Sequence, residues 1–264
     1  MNIKLVVSDI DGTLIGSDRQ IKPVIDEIGN LIKEKNIPFT MASGRIPARI
    51  GQLKERLGVT LPVIGCNGGC AVKGEEFLWN DFIPVRFLRP AIEKADKLGM
   101  SVVFTDGVKE FAYRKTEWIR DLMETYNRYD GVFVPQGKEW EEIRVQKVLI
   151  ADAPSLEVQQ QVTKELVPFL NKMKVVEYPD GTLDIMAKTA DKGEAVRRLA
   201  EYLHIEREEV MAIGDHENDI GMIRFAGVGV AVANATPSLK DKADYVCARE
   251  MAEGVLEALK LYFK

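Results

Sequence analysis

Asp9 and Asp11 stand two positions apart where the apolar run IKLVVS ends, with Gly12 and Thr13 directly behind them. Near the other end of the chain, the run EVMAIG leads into Asp215, Asn218 and Asp219. If both runs are strands of one sheet, their acids converge. Carboxylates a few ångströms apart raise each other's pKa and cost stability unless a cation neutralises them. The donors are hard oxygens, with no cysteine and no paired histidine among them. This set points to Mg²⁺ rather than Zn²⁺, with water and a ligand oxygen completing the octahedron. Magnesium held by few protein groups is a common partner of phosphate. The chain has no Walker A motif, so a P-loop nucleotide site is not available.

The elements that would position these residues can be read from apolar periodicity. Ile3–Ser8 is a β-branched run without polar alternation, as in a strand buried on both faces of a parallel sheet. A helix follows over Pro23–Lys35, a strand over 37–43, a helix over Ile46–Leu57 and a third buried run over 62–69. The alternation returns in a helix at Lys192–Leu203, a strand at Glu209–Gly214, a helix at Asn218–Phe225, short strands VGVAVAN and DYVCA, and a closing helix at Ala252–Phe263. Strands alternating with helices predict right-handed βαβ units in an α/β, doubly wound, Rossmann-like parallel sheet.

Residues 84–188 have a different texture. Helical patterns at 86–98, 115–128 and 155–170 mix with the strands SVVFT, EFAYR and VQKVLIA, and PDG separates two alternating runs as a hairpin turn would. The expected organisation is a core of residues 1–83 and 189–264 interrupted by an α+β insert at 84–188.

Ligands of open parallel sheets bind beyond the carboxyl ends of the strands. The residues there are Asp9, Asp11 and Thr13, then Ser43 and Gly44, then Asn67 and Gly68, and finally Asp215, Asn218 and Asp219. Lys192 opens a helix nearby; Lys188 is a rival cation, but it sits at the exit of the presumed hairpin.

Composition narrows the field further. Hydrophobic residues make up 46% of the 264 residues and charged ones 29%, enough for a real core and too apolar for a disordered chain. The net charge of −5, with no block of Lys or Arg, argues against nucleic acid. Only two histidines are present, so catalysis leans on carboxylates. Cys66, Cys70 and Cys247 form no CxxC pair and read as buried thiols in a reducing compartment. The start MNIKLVVSD turns acidic too soon for a signal peptide, and no apolar stretch approaches the roughly 18 residues of a membrane span. A cytoplasmic protein is expected.

DIDGT at 9–13, Ser43 in MASGR, Lys192 in DKGEA and GDHEND at 214–219 resemble, in order and spacing, the four motifs of the haloacid dehalogenase superfamily of phosphatases. An insert between the second and third motifs is similar to the Cof-type, type IIB subgroup. The resemblance implies that Asp9 is a nucleophile forming an aspartyl phosphate, and that Asp11 protonates the leaving oxygen and then activates water. It implies Asp9, the Asp11 carbonyl and Asp215 as magnesium ligands, with Thr13 orienting the loop. Ser43 and the Gly44 N–H would bind the phosphoryl group, Lys192 would stabilise its charge, Asn218 would touch it, and Asp219 would anchor Lys192. The role of His216 stays open. The implied substrate is a small phosphomonoester such as a sugar phosphate, bound by a monomer or small homo-oligomer without nucleic acid or membrane, the insert acting as a cap that sets specificity. A phosphomannomutase-like phosphotransferase and a phosphoaspartate receiver remain alternatives.

Overall fold

The first strand of the computed structural model, Leu5–Ser8, is buried along its whole length, as its unbroken apolar pattern requires. The structure describes residues 2–126, 128–178 and 180–264. Leu5–Ser8 lies between Val210–Gly214 and Phe39–Met41 in a parallel sheet whose order is Tyr245–Val246, Val228–Ala231, Val210–Gly214, Leu5–Ser8, Phe39–Met41. The register pairs Ser8 with Ile213 and with Met41, so three strands end at one level. Because every residue of Val210–Gly214 is also buried, both faces of the sheet are covered. Helix Val24–Lys35 packs with helices Gly51–Leu57 and Met251–Tyr262, and helix Lys192–Tyr202 packs with Ile220–Phe225. Ile25, Ile28 and Ile32 form the buried stripe of the first helix, and Asn36 ends it in the left-handed region at φ 49°.

The buried run at 62–69 departs from its expected place. Val63–Gly65 pairs antiparallel with Cys70–Lys73 in a three-stranded sheet completed by Glu76–Asn80, and a 3₁₀ turn occupies Cys66–Gly68. Only a single parallel bridge, Ala42 to Ile64, ties it to the five-stranded sheet among the described residues. Apolar character placed this run inside the molecule, but partner and direction depend on chain distant in sequence. The helix expected from Ile46 is split into a 3₁₀ turn at Pro47–Arg49 and an α-helix at Gly51–Leu57.

The chain divides into two compact units, Met1–Trp79 with Asp191–Lys264, and Asn80–Ala190. The second has its own six-stranded sheet, antiparallel except for the pairing of Glu110–Ala112 with Gly131–Val132. Helices Arg89–Lys97 and Leu156–Leu166 pack together over one apolar cluster, and helix Glu117–Tyr126 joins a smaller one. Met173–Glu177 and Leu183–Ala187 form the hairpin expected around PDG, whose Pro179 lies outside the described residues. Cys66, Cys70 and Cys247 are buried free thiols. Among the described residues no helix is long and apolar enough to cross a membrane.

Candidate active site

Backbone hydrogen bonding carries Asp9 one step beyond its strand: its N–H donates to the Ile213 carbonyl at 2.9 Å. The chain then turns sharply. Gly12 has φ +90°, and a Cβ there would lie 2.2 Å from Asp215 Oδ2, so only glycine lets the loop pass this carboxylate. The loop is held from both sides. Thr13 Oγ1 donates to Asp215 Oδ1 at 2.9 Å, and Asn234 Nδ2 donates to the Gly12 carbonyl at 2.7 Å.

Lys192 reaches the same point from the first turn of its helix. Asp191 caps that helix, its carboxylate accepting from the Gly193 and Glu194 N–H groups. A Cβ on Gly193 would meet the backbone of Gly221 at 2.5 Å, so glycine allows this helix to lie against Ile220–Phe225. The fully buried Lys192 ammonium then donates to Asp9 Oδ1 at 2.5 Å and Asp219 Oδ1 at 2.6 Å. Asp219 Oδ2 accepts from the Asp215 and His216 N–H groups, so both of its oxygens are engaged.

Ligand oxygens of Asp9, Asp215 and Asp219 all lie within 4.8 Å of one another. Burial, and then repulsion from Asp219, pushes the Asp9 carboxyl well above its ordinary range against the pull of Lys192, with Asp215 adding to the rise. Burial and Asp219 push Asp215 up to about 6. Burial alone would lower Lys192, but the carboxylates of Asp219 and Asp9 outweigh it and hold the ammonium above its ordinary value. One cation thus serves three acids, and Asp9 Oδ2 is buried with no hydrogen-bond partner. An orphaned carboxylate oxygen costs several kcal/mol less once a cation meets it. Hard oxygens, excess negative charge and a bare buried oxygen fit a divalent cation of the magnesium type.

The other predicted residues surround this cluster. Ser43 Oγ accepts from the Arg45 N–H at 3.1 Å, and Asn218 Nδ2 donates to Asn67 Oδ1 at 3.1 Å. Gly44 lies against the Asn67 side chain. His216 is half exposed and pairs with Glu217 at 2.9 Å. Lys188 belongs to the second unit, where its ammonium donates to the Leu170 carbonyl. The Asp11 carboxylate does not join the cluster of three acids; Arg45 grips it, Nε to Oδ2 at 2.9 Å and Nη2 to Oδ1 at 2.6 Å. Arg45 and Asn234 carried no assignment from sequence. Both follow strand ends, Asn234 just after Val228–Ala231, and listing every polar residue beyond every strand would have found them.

The family model for haloacid dehalogenase-like hydrolases matches residues 6–259. A phosphoglycolate phosphatase of Methanothermobacter thermautotrophicus is 27% identical over 262 residues, spanning 98% of this chain and 99% of its own. The crystal structure of a haloacid dehalogenase-like hydrolase from Bacteroides thetaiotaomicron matches with a TM-score of 0.86 at 28% identity, over 99% of this chain and 100% of that one. A sugar phosphatase of HAD subclass IIB shares the fold, with a TM-score of 0.81 at 24% identity over 98% of each chain.

Proposed function

Because the chain belongs to the haloacid dehalogenase-like hydrolase family, we propose that it is a phosphatase that hydrolyses a small phosphomonoester, a sugar phosphate or similar metabolite, through an aspartyl phosphate on Asp9. One observation carries the reading: Asp9 is a buried carboxylate with one oxygen held by Lys192 and the other bare. A carboxylate needs no separate base to become a nucleophile. It needs only to be ionised, a form that burial and Asp219 oppose and that Lys192, together with a bound divalent cation, would favour.

In the first half-reaction an Asp9 oxygen attacks phosphorus and the bond to the leaving oxygen breaks. Asp11 gives that oxygen its proton, and the alcohol departs. In the second, Asp11 takes a proton from water, whose oxygen attacks the phosphorus of the acyl phosphate, returning Asp9 and releasing inorganic phosphate. Ser43 Oγ and the Gly44 N–H donate to the phosphoryl oxygens, with Asn218 beside them. Lys192, with Asp219 fixing it, offsets the charge that builds in transfer. Asp9, the Asp11 carbonyl and Asp215 would hold Mg²⁺, with Thr13 setting the Asp215 carboxylate. When bound, the ion supplies positive charge that removes the repulsion between an anionic nucleophile and an anionic phosphate. The segment 84–188 is assigned the role of a cap that sets leaving-group preference, on the family resemblance.

Steady release of phosphate from para-nitrophenyl phosphate and from a panel of phosphorylated sugars and small acids, dependent on Mg²⁺ and abolished in Asp9→Asn, is the expected result. Full activity of Asp9→Asn would overturn the reading.

A further inference from the structure

Three consecutive residues of the turn Cys66–Gly68 lie in the left-handed region: Cys66 at φ 52°, Asn67 at 54° and Gly68 at 99°. Residues with side chains disfavour that conformation, cysteine more than asparagine, so the surroundings must hold it. Backbone bonds do so on the side of Ser43. The Asn67 N–H donates to the Ser43 carbonyl at 2.9 Å, the Cys66 N–H to the Arg45 carbonyl at 2.9 Å, and the Ser43 N–H to the Ile64 carbonyl at 3.0 Å. What this conformation accomplishes is the placing of Asn67. Its side chain, 4% exposed, lies against Gly44 and accepts from Asn218 Nδ2. That bond directs the Asn218 nitrogen toward Asn67 and leaves the second N–H of the same nitrogen for an oxyanion.

The far end of the turn is held by Trp79. This residue lies in strand Glu76–Asn80, and its indole Nε1–H donates to the Gly68 carbonyl at 3.1 Å. The Arg198 guanidinium stands over the same ring, 4.3 Å from its centroid. Arg198 belongs to helix Lys192–Tyr202, and Gly68 lies against the backbone of Asp191, the residue that caps that helix. One indole thus touches the turn through its edge and the lysine helix through its face.

We propose that Trp79 is a positioning residue for phosphate binding: by fixing the Gly68 carbonyl beside helix Lys192–Tyr202 it keeps the left-handed turn, and with it Asn67, Gly44 and Asn218, aligned with Lys192. The inference rests on the phosphatase reading and adds to it a residue that none of the four motifs contains. Phenylalanine at this position fills most of the apolar space but cannot hold the carbonyl. Without that bond the turn relaxes toward ordinary backbone angles and draws Asn67 off Asn218. The coupling is reciprocal: whatever phosphate gains from the indole bond, the bond gains from phosphate. Both directions can be measured.

The first probe is inorganic phosphate, titrated calorimetrically with Mg²⁺ present. Trp79→Phe should bind it roughly three- to tenfold more weakly than the parent, the range expected for one neutral hydrogen bond. With para-nitrophenyl phosphate the fall in kcat/KM should be carried chiefly by KM. A Trp79→Phe protein that loses thermal stability yet binds phosphate as the parent does overturns the proposal, since packing alone then accounts for the residue.

The reverse direction is read on the parent itself. Its three tryptophans give three indole N–H resonances in a ¹⁵N-correlated spectrum, and that of Trp79 is the one retained in both Trp118→Phe and Trp140→Phe. It should move as phosphate and Mg²⁺ are added and saturate at the calorimetric Kd. A Trp79 resonance that phosphate leaves in place overturns the proposal, whether or not Trp79→Phe folds. Failure of the parent to release phosphate from any ester refutes the phosphatase reading instead, and the phosphate titration and the spectrum still decide on Trp79.

Discussion

The ammonium of Lys192 and the carboxylate of Asp9, 183 positions apart in the chain, meet at 2.5 Å with both side chains buried. A contact of this kind stabilises the fold only while both charges are present. Each of its two carboxylate partners loses its counter-charge if the lysine goes.

Lys192→Met should therefore destabilise the protein by about 3–5 kcal/mol, because it strands Asp9 and Asp219 as buried acids with no cation. Denaturant or thermal unfolding measures the loss. Mg²⁺ should restore part of that stability, whereas phosphate release should stay near background.

The two aspartates of DIDGT should separate the half-reactions. Asp9→Asn is expected to reduce turnover by about a thousandfold or more. Asp11→Asn should leave Asp9 able to accept phosphate slowly while stalling its hydrolysis. Intact-protein mass spectrometry after substrate addition should show one added phosphoryl group on Asp11→Asn and none on Asp9→Asn.

Metal affinity should follow the titration of Asp215. Its carboxyl is raised from 3.8 to about 6, so the folded protein holds this proton more tightly than the unfolded chain. In metal-free protein the stabilising contribution is complete below about 3.8 and is lost as pH rises through about 6. Mg²⁺ competes with that proton. Its affinity should climb as pH rises through about 6, as calorimetry at several pH values would reveal. At a hundred times its Kd the ion should add about 2.7 kcal/mol of stability, a rise of several degrees in Tm that EDTA reverses.

Gly12→Ala should damage the site more than the fold. The new side chain must adopt φ near +90° and meets Asp215 Oδ2 at 2.2 Å, at a backbone cost of about 1–2 kcal/mol. Far-UV circular dichroism should be preserved, while the Mg²⁺ affinity drops about tenfold or more as Asp215 is displaced.

Much of this architecture is legible without coordinates, for a local reason. A strand buried on both faces needs an unbroken apolar run, and the first polar residues after such a run lie at the sheet's carboxyl edge. Asp9, Asp11, Ser43, Asp215 and Asp219 are found that way. Asp191 and Gly193 around Lys192 likewise carry the local marks of a helix start.

Other features arise only when distant segments meet. The apolar content of 62–69 predicts burial, yet its antiparallel pairing with Cys70–Lys73 comes from competition among strand partners that no local pattern encodes. The same holds for the oxygens of the site. That Asp219 is saturated, that Asp9 keeps a bare oxygen and that Asp11 lies in the fork of Arg45 depend on rotamers set by packing between segments up to 183 positions apart. Residue types settle which chemistry the chain has at hand, because charge and donor hardness belong to the side chain itself. Which atom is free to perform it is decided in three dimensions, because each hydrogen bond needs its partner at a fixed distance and angle.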